Sequence, residues 1–164
     1  MNIRTLQTAW RTSAAALLIG LSACGGGGDG GISGTGVMRL SLTDAPACGY
    51  DEVNVTIEKV RVHRSADAAD SAAGWSEVVL NPALRVDLLT LSNGVLAELG
   101  QTSLPAGRYT QLRLVLADNS ASAPLANSVV PTGGTETALT TPSAQQSGLK
   151  LNVQMDVAAN QVAD

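Results

Sequence analysis

Over residues 149–157 the chain alternates strictly: Leu149, Leu151, Val153, Met155 and Val157 are apolar, and the residues between them are polar. A period of two puts all five on one face of an extended strand, and no helix aligns that spacing. The same alternation appears in Met38, Leu40 and Leu42, and again in Val53, Val55 and Ile57. After Ile57 the phase slips, because the next apolar pair is Val60 and Val62. One extra residue near Glu58–Lys59 accounts for the slip, so a β-bulge is predicted there. Further strands are predicted over 75–80, 86–91 and 109–116, the last with Leu112, Leu114 and Leu116 on one face.

Residues 65–73 are small and polar and read as a long hairpin loop. Ser92-Asn93-Gly94 and Leu104-Pro105-Ala106-Gly107 are turn signals, and 120–135 reads as a loop. Residues 95–99 fit a short strand or a helical turn. No stretch sustains a helical period. Several short strands separated by turns predict an all-β fold, an antiparallel β-sandwich of immunoglobulin-like kind. The 17 Leu and 15 Val after residue 23, with no Phe, make its core aliphatic.

The first residues carry a different message. Arg4 and Arg11 are the only charges before Asp29, and eight small or apolar residues, Ala14 to Leu21, follow them. That stretch is too short to span a bilayer as a helix and reads as a secretory signal peptide. Leu21-Ser22-Ala23-Cys24 resembles the lipobox of bacterial lipoproteins, which are cut before the cysteine and acylated on it. Ordinary signal cleavage wants a small residue three positions before the cut, and Leu21 stands there instead. Several acyl chains hold a protein on a membrane firmly where one is marginal. The resemblance thus implies a lipidated Cys24 and export through the secretory pathway. Gly25 rather than Asp follows it, which by resemblance to Gram-negative sorting implies the outer membrane. Removing residues 1–23 leaves 141 residues with 8 basic and 14 acidic side chains, a net charge of −6.

Gly25-Gly26-Gly27-Gly28-Asp29-Gly30-Gly31 comes next. Glycine this dense loses too much chain entropy to fold and is read as a tether. A phosphate-cradling loop would need a strand before it and a helix after, or a terminal Lys-Ser/Thr, and neither is present. The expected organisation is a signal peptide over 1–23, lipidated Cys24 and tether over 24–35, and one sandwich domain over 36–164. A domain of this size buries around two-thirds of its unfolded surface.

Six segments together resemble the bacterial lipoprotein family of domain of unknown function 4382. They are Leu42-Thr43-Asp44-Ala45-Pro46, the run from Val53 to His63, Gly74-Trp75 with Val86 to Gly94, Leu104 to Leu114, and Gln146 to Leu151. The resemblance spans about residues 36–157 and implies a secreted or anchored β-sandwich with no assigned chemistry. Leu-Pro-Ala-Gly-Arg-Tyr-Thr also looks like the turn of transthyretin-like and collagen-adhesin B-type modules, an analogy of fold alone. Family members usually continue beyond this point, so the domain is expected to be truncated at its C-terminus. Its last strand is then expected to lack a neighbour and to expose an apolar edge.

Composition excludes several functions. Aromatic residues are 2% of the chain and the pI is near 4.8, so neither base stacking nor phosphate binding has its usual material. Nucleic acid is therefore not an expected partner. The single histidine, His63, sits at a strand end with no nucleophile elbow elsewhere, so it reads as a solvated residue rather than part of a triad. His63 and Cys48 do not make a zinc site. Asp44, Asp51, Asp87 and Asp118 lie in turns or at strand ends and read as turn caps, with calcium the rival. Trp75, Tyr50 and Tyr109 would make a sugar platform only if they converged, and the core is the expected place for Trp75. Arg39, Arg61, Arg85, Arg108 and Arg113 are expected outside, in solvated pairs. Once Cys24 is lipidated, Cys48 is the one remaining thiol, unpaired or joined by a disulfide to an outside partner.

These readings predict a lipid-anchored cell-envelope module that binds or assembles and is not an enzyme. It has a membrane through its lipid and a glycan or envelope protein as partners, no catalytic residues, no metal and no cofactor. The rival expectation is an envelope glycan hydrolase using loop carboxylates, which needs two acids in one cleft.

Overall fold

One strand organises the molecule. In the computed structural model, which describes residues 34–43 and 48–164, β2 (Tyr50–His63) runs for 14 residues through the middle of the larger sheet. Antiparallel to it on one edge lies β3 (Ser76–Asp87). Two strands share its other edge: β5 (Gly107–Leu116) pairs with the C-terminal half of β2 and β6 (Ser128–Pro131) with the N-terminal half. The two-residue β7 (Thr137–Ala138) extends β6, and β8 (Leu149–Val157) extends β5. The second sheet has the order β4–β1–β9, from Ala97–Pro105, Thr35–Leu42 and Val162–Ala163. A 3-10 turn, Leu88–Leu91, and a five-residue helix α1, Pro142–Gln146, complete the described residues. The fold is an all-β sandwich, as the alternation predicts.

The bulge lies where the phase slips. Both β3 and β5 skip Glu58, so their register steps from Ile57 to Lys59. Val55, Ile57, Val60 and Val62 consequently all face the core and are buried. On the outer face β2 presents Thr56 and Glu58, then Lys59, Arg61 and His63. The core has two aliphatic clusters, one around Ile57, Val60 and Leu116, the other around Met38, Val62, Leu104 and Tyr109.

Some expectations are corrected. Residues 75–80 and 86–91 are not separate strands. Residues 76–80 and 86–87 belong to the single strand β3, whose residues around Asn81–Pro82 loop out while pairing resumes at Leu84, and 88–91 is the 3-10 turn. Of the two alternatives open at 95–99, the strand is the one formed, with β4 opening at Ala97. The 120–135 segment holds β6. Residues 64–75 do form the long loop between β2 and β3, but they fold back over the outer face of the sheet. Trp75 therefore lies under that loop, between Arg61 and Arg113, and not in the sandwich core. The same loop buries Arg113, whose Nη2 donates to the Ala68 carbonyl at 2.9 Å. Apart from these, β8 is the end strand of its sheet, and Leu149 and Leu151 are exposed.

Candidate functional site

Between their meeting points with β2, β5 and β6 part company, and the gap is closed by side chains. Ala117 N–H donates to the Thr56 carbonyl at 2.8 Å, continuing the β5 ladder by one residue. Beyond it, the fully buried Asn127 takes over. Its Oδ1 accepts from Thr56 N–H at 3.0 Å and its Nδ2 donates to the Ala117 carbonyl at 2.7 Å. Asn119 braces the same loop, accepting from Asn127 N–H at 2.7 Å and donating to the carbonyls of Asn127 and Leu139. Buried backbone groups need such partners, and two asparagine amides supply them here in place of a strand.

The braced loop, residues 117–126, forms one wall of an open cleft of about 710 Å³ on the outer sheet face. Ala117 and 123–126 give that wall an apolar lining, while Thr56 and Arg85 form the base. Arg85, opposite Thr56 in the register, donates to Glu136 Oε1 at 2.7 Å and to Ser128 Oγ at 3.2 Å. Ser128 Oγ donates to the same Glu136 oxygen at 2.6 Å. Glu136 is thus held in place, and its charge is matched by Arg85. Glu58, on the outer face at the bulge, and Asp118, just past β5, complete the rim, and neither forms an ion pair among the described residues.

The cleft contains three carboxylates and one guanidinium, so it suits a polar ligand with an apolar flank. Among the described residues no three His, Cys, Asp or Glu side chains are placed to hold a metal ion. The four aspartates singled out from sequence do not come together as a set. Asp87 caps the 3-10 turn through Leu89 N–H and also accepts from Val53 N–H. Asp51 accepts from Gly133 N–H, Asp118 sits at the cleft, and Asp44 lies outside the described residues. The three aromatic residues do not converge either. Tyr109 is buried, and Tyr50 lies at the far end of β2 from Arg61 and Trp75, roughly 35 Å along the strand.

His63 ends β2, its ring 5.0 Å from that of Trp75. Its Nδ1 accepts from Ser65 N–H at 2.9 Å, and its Nε2 lies 3.0 Å from the Ala73 carbonyl. The residue ties the two ends of the 64–75 loop together, a structural role. Cys48 is a free, exposed thiol, and Cys24 lies outside the described residues. The cleft itself was not among the sequence expectations. Its one sequence signal is the phase slip at Glu58; its loop wall depends on hydrogen bonds between distant residues.

Fold and site define a secondary class first: a sandwich domain with an open, acid-rimmed cleft on its larger sheet. The chain belongs to the family described as Domain of unknown function (DUF4382), which matches residues 35–164. No match was found among curated proteins or among solved structures.

Proposed function

We propose that this protein is a lipid-anchored module of the bacterial cell envelope that binds a glycan or an envelope protein through the cleft on its outer sheet face. The observation that carries the reading is the sequence Leu21-Ser22-Ala23-Cys24, followed at once by the glycine-rich segment. An acylated cysteine gives membrane attachment, and the glycine tether lets the sandwich stand off from it. The open cleft, with its braced apolar wall and polar rim, offers a preformed surface for a ligand. The experiment is Cys24→Ala in cells fed labelled palmitate. Loss of label and accumulation of uncleaved precursor are expected; normal labelling overturns the anchor.

A second reading, an envelope glycan hydrolase, is favoured by one observation: Glu58, Asp118 and Glu136 line the same cleft. Glycoside hydrolysis requires a pair of carboxylates on opposite sides of the scissile bond. Incubating the purified protein with envelope glycan separates the readings. Release of reducing ends that disappears in Glu58→Gln or Asp118→Asn supports the enzyme. Retained binding on a glycan array with no release supports the module.

A further inference from the structure

We propose that β8 is a self-docking edge, and that two copies of this chain join by antiparallel β8–β8 pairing into one continuous sheet. β8 ends the larger sheet, and among the described residues no strand covers its outer edge. The strand is nine residues long and has no proline. Natural edges are usually kept short, charged or bent away to prevent such pairing. Here the apolar face runs to the edge uncovered: Leu149 is 51% and Leu151 42% exposed. A groove of about 410 Å³ beside them, lined by Leu40, Leu112, Val153 and Met155, leaves the core partly open on that side.

The occupant is identified by self-complementarity. When Val153 faces Val153 of a second copy, Leu151 meets Met155 and Leu149 meets Val157. On the other face Lys150 meets Asp156, and Asn152 meets Gln154. Every apolar residue gains an apolar cross-strand neighbour, and the two charged residues form two opposite-charge pairs about the two-fold axis. Sliding the register by two residues either way removes both charge pairs. β8 keeps its alternation through the one-residue register slip against β5 near Thr110, so one face remains apolar along its length.

The test uses the full chain with Cys48→Ser, assembled in membranes, with Val153→Cys added. Mild oxidation is expected to give a disulfide-linked dimer of twice the mass, because residue 153 faces its own copy across the two-fold axis. Adding Lys150→Asp, which sets Asp against Asp156, is expected to lower the cross-linked fraction severalfold. Lys150→Asp with Asp156→Lys restores the opposite pairing and is expected to restore the cross-link. Sedimentation of the detergent-solubilised, unsubstituted chain gives an independent readout, with dimer expected. A monomer in sedimentation, no cross-link through Val153→Cys, a cross-link insensitive to Lys150→Asp, or linkage to a different protein would each overturn the proposal.

Discussion

Arg61 on β2 stands directly opposite Arg113 on β5, and both guanidinium groups lie against Trp75, 4.5 and 4.9 Å from its ring centroid. Like charges directly opposite each other on neighbouring strands are destabilising by themselves. Three partners offset the repulsion. Asp70 forms an ion pair with both arginines, Glu77 sets a carboxylate oxygen 2.8 Å from Arg61 Nε as an ion pair, and the indole offers its electron-rich ring to both cations. Trp75 Nε1 also donates to the Ala69 carbonyl at 3.0 Å, closing the loop that carries Asp70.

Removing the ring should therefore loosen the loop and the cations together. Trp75→Ala is expected to cost about 2–3 kcal/mol, lost packing and two cation–π contacts combined. Asp70→Asn is expected to cost about 0.5–1 kcal/mol, since that carboxylate is half exposed. Chemical denaturation measures both, and a Trp75→Ala protein as stable as the parent would refute this account of the cluster.

Asn127 replaces a length of strand, so its amide should be hard to lose. Asn127→Ala leaves Thr56 N–H and the Ala117 carbonyl without these partners and is expected to cost about 2–3 kcal/mol. It should also speed proteolysis within residues 117–126. Unchanged cleavage there would show that the cleft wall is held by other contacts.

Deleting Glu58 should be tolerated, although it lies in a central strand. Both neighbouring strands already skip this residue, so its loss leaves Val55, Ile57, Val60 and Val62 on the core face. The expected stability change is about 1 kcal/mol or less, whereas deleting Thr56 puts the two halves of β2 out of phase and should abolish folding. Circular dichroism with a cooperative denaturation curve distinguishes the outcomes, and an unfolded Glu58 deletion would contradict the bulge argument.

Gly25, not Asp, follows the proposed acylated cysteine. On a sucrose gradient the protein is accordingly expected with the outer membrane. Recovery in the inner-membrane fractions would refute the sorting argument while leaving Cys24→Ala to test the anchor separately.

The strands were legible because burial on one face writes a period of two into the sequence, and even the bulge left its mark as a change of phase at Glu58. What the period could not encode is a second burial event on the outer face. Arg113 occupies a position that reads as solvated, yet it is buried. The 64–75 loop covers Arg113, and no local pattern announces where a small polar loop will lie. The cleft was hidden for a similar reason. Asn119 and Asn127 look like ordinary loop residues until the fold brings Thr56 within reach, 71 positions before Asn127. The break expected between residues 80 and 86 fails in the opposite direction, because the residues around Asn81–Pro82 loop out while the strand continues.

The chain enters the sandwich at Gly34, whose carbonyl accepts from Ala106 N–H beside the start of β5. The cleft wall begins at Ala117, where β5 has ended. Ten residues of strand separate the two points, roughly 30 Å. A domain held from its N-terminal side is therefore gripped well away from its cleft, which lies about midway along β2 at Thr56. Held upright on a surface, it would offer the cleft partway up its flank, clear of whatever crowds the base.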